Sequence, residues 1–328
     1  MTNNRKDWID ALRACAMLIV MIWHFSNNMP YQWLFNVFTA PIMIPLFFAI
    51  TGYVFNGCDG NCTLFFSKLT KHLVLPWLLL AIIKGAFVAL IRGSFDYYWE
   101  YFLNLFTGDN LWYFPCCIIA EILFFYTIKK FENCKKRILA SMLLCIIGFG
   151  LSNIFIFKYL NISTAFICQI FLLIGALFKK IENSIGKEVK IGYLCISLFI
   201  FIGILVSTMP NPIGTANQIS MDVHKNYYYN LFTVFTMIFF GILSVFILVK
   251  NRDEFPRWLT FVGRNTIVFY IFHYDTIMPL SVLTKHIGLN MESHWGYVFI
   301  KLFWSIIICS IIAICLNKWA PQLVGKRR

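Results

Sequence analysis

Charge is scarce in this chain. Only 13% of its 328 residues are Asp, Glu, Lys or Arg, against about 25% in average soluble domains. Acidic residues number just 15. That poverty excludes a disordered, highly charged chain. Gly and Pro, at 18 and 10, show no collagen period and form no low-complexity tract. The 11 Cys contain no C-x-x-C pair, and most fall in apolar segments, where they read as small buried hydrophobes. Cys58 and Cys62 share a short loop without the His and Cys partners a zinc site needs. A disulfide scaffold and a metal centre are therefore not expected. What is abundant is apolar surface. Hydrophobic residues make up 59% and aromatic residues 18%, with 35 Phe. A water-soluble core of this length cannot enclose so much. The composition predicts a polytopic membrane protein, with the lipid bilayer as the main solvent of its surface.

A spanning helix needs about 20 mostly apolar residues, and its backbone must be satisfied internally. Ten stretches qualify: roughly 8–28, 37–56, 72–91, 111–128, 138–157, 164–179, 190–208, 229–249, 258–280 and 297–319. The expected fold is an all-α membrane helix bundle of about ten spans, one domain over 1–328, both termini cytoplasmic. No cleavable signal peptide is evident ahead of the first span, and the aromatic segment 96–107 is expected to lie at the interface. The formal net charge of +13 supports this topology once it is sorted by side. With the N-terminus inside, 22 of the 28 Lys and Arg fall on the cytoplasmic side and 6 elsewhere, as the positive-inside rule requires. The same sorting removes any reason to expect a nucleic-acid partner.

Ionisable side chains inside a span are costly and mark functional interiors. Arg13 and His24 lie in the first span, eleven residues apart. At about 100° per residue they return to within about 20° of one face, roughly 16 Å apart along the helix. Lipid snorkelling explains Arg13 alone, and an interhelical hydrogen bond explains His24 alone. The second span carries Pro41, Pro45 and the run Thr51-Gly52-Tyr53. Lys68 and Lys71, three residues apart, would share a face of a short inner helix and contact phosphate, of ligand or of lipid. Trp112 opens the fourth span as part of an aromatic belt, while Glu121 lies about 15 Å deeper, where Arg13 or Lys84 could pair with it. The ninth span holds Gly263-Arg264-Asn265-Thr266 and then His273 and Asp275. Helical rise puts His273 and His24 at similar depths, about 22 and 24 Å. A histidine can take a proton from a hydroxyl near neutrality. The bland reading of His273 is a polar cluster at the outer interface. His224, His286 and His294 fall in outer loops without metal spacing.

These segments resemble the integral membrane acyltransferases of the acyltransferase type-three family. The likeness rests on Asp10-x-x-Arg13 with His24, on Pro45-Leu46-Phe47-Phe48-x-x-Thr51-Gly52-Tyr53, on Leu111-Trp112-Tyr113-Phe114-Pro115, and on Gly263-Arg264-Asn265-Thr266-x-x-x-Tyr270-x-x-His273. The chain is closest in pattern to the sugar O-acetylase branch. It departs from the family in carrying Lys68 and Lys71 where Arg is usual, which forgoes bidentate phosphate contact.

The resemblance implies acyl-CoA, most often acetyl-CoA, as cytoplasmic co-substrate, with no bound cofactor. It implies a cell-surface glycan or lipid-linked saccharide as acceptor, in a bacterial inner membrane. Arg13, Lys68, Lys71 and Arg264 would attract the coenzyme A phosphates. His24 would act as general base or acyl carrier, with His273 or Tyr53 orienting it. Trp112, Glu121 and Asn265 would contact the acceptor or orient the catalytic groups. The rival is a secondary transporter or lipid flippase, which also needs many spans and buried charge. No inverted repeat supports it, and a non-catalytic scaffold leaves His24, Glu121 and His273 unexplained.

Overall fold

A computed structural model describes residues 6–27, 29–107, 109–185, 189–208, 221–223, 227–228, 231–286 and 294–325. Arg5, Lys187, His224, Lys225, Lys326, Arg327 and Arg328 lie outside the described residues. The described residues are mostly helical. In order the chain forms α1 (Asp7–Phe25), α2 (Gln32–Val54), α3 (Cys62–Leu69), α4 (Leu75–Arg92), α5 (Asp96–Thr107), α6 (Tyr113–Lys130) and α7 (Cys134–Leu151). There follow α8 (Ile162–Ile167), α9 (Gln169–Ile185), α10 (Val189–Thr208), α11 (Leu231–Lys250), α12 (Arg257–Arg264), α13 (Thr266–Phe272), α14 (Ile277–His286) and α15 (Trp295–Trp319). A two-residue antiparallel bridge joins Met221–Asp222 to Tyr227–Tyr228.

Among the described residues, six helical stretches are long and apolar enough to cross a membrane: α1, α2, Cys62–Leu90, α10, α11 and α15. Two bent pairs raise the number to eight, Tyr159–Ile167 with Gln169–Glu182 at 47° and Thr266–Phe272 with Ile277–Thr284 at 44°. The structure thus supports six to eight spans. The other two expected stretches are helical as well, but α6 and α7 are only 18 residues long. Each carries three charges, Glu121, Lys129 and Lys130 in one and Lys135, Lys136 and Arg137 in the other.

Two expected spans, 164–179 and 258–280, are bent rather than straight, and in the second the breaks can be traced. That stretch breaks at Asn265, whose backbone leaves helical geometry at φ −118° and ψ 22°, and again after Phe272. Such breaks are tolerated where side chains satisfy the freed backbone groups. Here Asn265 Nδ2 donates to Phe261 O at 2.8 Å and Thr266 Oγ1 to Gly263 O at 2.6 Å. By contrast α2 runs through both Pro41 and Pro45 without interruption.

The residues group into two compact units. One comprises Met1–Ile50, Phe178–Asp222 and Tyr227–Ala313; the other comprises Thr51–Leu177, Val223–Asn226 and Ile314–Arg328. In the first, α10 packs along α11 and α1 along α12. Val37, Phe199, Val206 and Met237 form a buried apolar cluster, and Phe246 lies edge-on to both Trp8 and Phe178. In α1, Asp7 and Asp10 occupy the first turn, where the helix dipole favours anions.

In the second unit, Phe65 stacks on Phe125 at 4.2 Å and 10°, within a cluster that includes Cys58 and Leu69. Gly52 is needed for close approach here. A Cβ on it would fall 1.9 Å from the carbonyl oxygen of Leu172. A π turn, Thr70–Val74, separates α3 from α4.

Candidate active site

In the first unit α1 is an unbroken α-helix, so Arg13 and His24 do share a face, separated by about 16 Å of helical rise. Each end of that face holds its own cluster.

At the Arg13 end, Asp10 is 1% exposed, and a buried carboxylate requires compensation. Arg264 supplies most of it. Its Nε donates to Asp10 Oδ2 at 3.1 Å, and its second terminal nitrogen donates to Asp7 Oδ1 at 2.7 Å. Arg13 stands 3.6 Å from Asp10 Oδ1. Two carboxylates therefore face two guanidiniums, and the cluster is formally neutral. Arg264 is consequently a clasp between α12 and α1, with much of its hydrogen-bonding fork already engaged. The clasp is possible because Gly263 lies against the α1 backbone: a Cβ there would fall 1.8 Å from Asp10 O.

At the other end, the ring of His273 lies 5.1 Å from that of His24, centroid to centroid. Tyr274 stands edge-on to His24 at 6.2 Å, and Phe25 lies 6.1 Å from His273. His273 is 5% exposed, and its Nδ1 sits 2.8 Å from Phe269 O and 3.0 Å from Tyr270 O. Carbonyl oxygens only accept, so Nδ1 carries hydrogen. In the neutral ring Nε2 is then a bare lone pair, a proton acceptor by construction.

The helix break that follows is also secured. Thr276 Oγ1 and Ser305 Oγ lie 2.7 and 3.3 Å from His273 O and 2.7 Å from each other. Trp304 Nε1 donates to Thr276 O at 2.8 Å. This chain of contacts anchors the backbone beneath the imidazole. Spacing along the sequence says nothing of Asp7, Tyr274, Thr276, Trp304 or Ser305.

The remaining candidates belong to the second unit. Tyr53 is 2% exposed. Trp112 precedes α6 and stands edge-on to Tyr113. Glu121 Oε1 lies 3.8 Å from Cys117 Sγ, and Tyr113, Cys117 and Glu121 recur every four residues along one stripe of α6. Lys68 Nζ approaches Cys58 Sγ at 3.4 Å, whereas Lys71 is exposed. A π turn begins at Thr70, between the two lysines. His72 Nδ1 lies 2.7 Å from Gly325 O and ties down the C-terminal turn Pro321–Val324. Among the described residues no group of three or more His, Cys, Asp or Glu is placed to hold a metal ion.

Several apolar helices long enough to cross a membrane, with two histidine rings in contact on α1 and just after α13, are the layout of a multi-pass membrane protein with paired imidazoles. Comparison with known families adds the chemistry. The family described as "Acyltransferase domain" matches residues 6–314, nearly the whole chain. The protein belongs to this type-three acyltransferase family and is a membrane acyltransferase. No curated protein and no solved structure matches it.

Proposed function

We propose that the protein moves an acyl group, in the first instance acetyl, from cytoplasmic acyl-CoA to a hydroxyl of an extracytoplasmic glycan or its lipid-linked precursor. In this reading the chain makes about ten crossings of a bacterial inner membrane with both termini cytoplasmic. The 22-to-6 distribution of Lys and Arg supports that sidedness. It puts the Arg13 end of α1 at the cytoplasmic face and the His24 end toward the acceptor.

The single observation carrying the reading is the histidine pair. His24 takes the proton of the acceptor hydroxyl as its oxygen attacks the thioester carbonyl. The tetrahedral adduct collapses, the C–S bond breaks, and coenzyme A thiolate leaves and takes up a proton. The products are an ester and free coenzyme A. His273, fixed with its lone pair at Nε2, stabilises the imidazolium that forms on its neighbour. Arg13 at the far end of the face contributes to attracting the coenzyme A phosphates. The partial neutralisation of Arg264 by Asp7 and Asp10 makes it the weaker contributor. By the family resemblance, Lys68 and Lys71 add positive charge for coenzyme A, and Tyr53, Trp112, Glu121 and Asn265 contact the acceptor or orient the catalytic groups.

The test is turnover of radiolabelled acetyl-CoA by the purified protein in lipid nanodiscs, read as coenzyme A release and label transfer. His24→Ala is expected to lower the rate about 100- to 10,000-fold, the range for loss of a general base. A folded His24→Ala protein with unchanged turnover would overturn the reading.

A further inference from the structure

Beside the histidine pair lies a donor that the protein itself leaves unused. Trp23 stands edge-on to His24 at 5.0 Å between ring centroids. Its indole Nε1 is buried and has no hydrogen-bond partner among the described residues. The other tryptophans of this unit whose indoles make bonds show what is ordinary. Trp295 Nε1 donates to Pro30 O at 2.9 Å and Trp304 Nε1 to Thr276 O at 2.8 Å. A buried N–H without a partner is rare and calls for an explanation.

A second orphan lies near the start of the next helix. Asn36 is 3% exposed, and its side-chain oxygen Oδ1 is buried without a partner among the described residues. Trp23 is two residues before the end of α1 and Asn36 four residues after the start of α2. By helical rise they lie about 3 and about 6 Å from the facing ends of consecutive helices. Ser26 Oγ donates to Trp23 O at 3.1 Å, and Met29 N donates to Ser26 O at 3.0 Å. One orphan is a pure donor and the other a pure acceptor. A hydroxyl both accepts and donates, so a polyhydroxylated ligand offers what each orphan lacks.

We propose that Trp23 Nε1 and Asn36 Oδ1 form the subsite that holds the polyol acceptor, presenting one hydroxyl to His24. The inference rests on the acyltransferase reading for the identity of its ligand, yet binding can be measured without turnover. The indole N–H donates to an acceptor oxygen, and the Asn36 carbonyl accepts from a hydroxyl of the same ring. The aromatic faces nearby supply the apolar wall that such pockets combine with few polar groups.

The experiment measures binding of a panel of methyl glycosides to the full-length protein in nanodiscs by saturation-transfer NMR. The variants are Trp23→Phe and Asn36→Leu, with 2-methyltetrahydropyran as a hydroxyl-free control. Trp23→Phe keeps an aromatic ring and removes the donor; Asn36→Leu keeps similar bulk and removes the acceptor. At least one glycoside is expected to bind, the control is not, and each variant is expected to weaken that binding about threefold to tenfold, the range for one neutral hydrogen bond. Melting temperatures near wild type establish folding, and either variant alone suffices if the other misfolds. Absence of glycoside binding, or equal binding by both folded variants as for water-filled orphans, overturns the subsite. Glycoside binding together with undiminished turnover in His24→Ala would instead overturn the catalytic reading and leave the subsite standing.

Discussion

Replacing Gly263 with alanine tests whether the contact of α12 with α1 assembles this unit. The added Cβ would lie 1.8 Å from Asp10 O, 2.5 Å from Asp10 C and 2.9 Å from Asp10 Cα. All three are backbone atoms of a continuous helix, so no side chain can rotate away. Ordinary contact begins at 3.4 Å, and the helices must part by about 1.6 Å to reach it, well beyond what a packed interface absorbs elastically. The Arg264–Asp10 bond, now 3.1 Å, stretches with that movement, and the buried Asp10 carboxylate loses its principal partner. Overpacking alone costs about 1–3 kcal/mol, and weakening the charge pair adds to it. Gly263→Ala should therefore melt several degrees below wild type in detergent, followed by intrinsic fluorescence or by size-exclusion recovery after heating. Gly296→Ala is the control. Its Cβ would meet nothing within 4 Å, and an exposed helical Gly→Ala change is neutral or slightly stabilising. Equal melting temperatures for the two variants would refute the close-approach argument.

Arg264→Met is expected to destabilise by about 1–3 kcal/mol. The loss is smaller than for a fully buried pair, because Arg264 is 42% exposed and Arg13 stays near Asp10. In a double-mutant cycle of thermal melts, Asp10→Asn with Arg264→Met should cost less than the sum of the single changes; additivity would show that the pair is not coupled. Thr276→Val and Ser305→Ala each remove a hydroxyl beneath His273 and should each cost about 1 kcal/mol. Both should lower acyl-transfer rate more than stability, and a rate that follows only the folded fraction would deny them a positioning role. Gly52→Ala should fail as Gly263→Ala does, since its Cβ would fall 1.9 Å from Leu172 O. A melting temperature within a degree of wild type would contradict that contact.

The helices were legible because lipid imposes one strong rule. A segment without internal backbone bonding cannot sit in hydrocarbon, so long apolar stretches become helices almost regardless of detail. Arg13 and His24 could be set on one face from the helical period alone, and α1 is continuous enough for that arithmetic to apply. The bend in the ninth stretch was not legible because hydropathy averages over a window. The break at Asn265 depends on side-chain bonds to Phe261 O and Gly263 O, which hydropathy does not see. Charge pairing was hidden in a similar way. The partners of Arg264, Asp7 and Asp10, lie more than 250 residues away along the chain.

The sequence by itself determined the solvent, the helical class and the set of polar residues that do not belong in lipid. Those follow from composition and period, which are properties of single segments. Only the tertiary structure decided which polar residues meet. It brought His24 and His273 together from opposite ends of the chain, assigned the hydrogen of His273 to Nδ1 through two carbonyls, and left Trp23 Nε1 and Asn36 Oδ1 unsatisfied. Meetings of that kind are set by close approach and directional bonds between distant segments, and no local pattern encodes them.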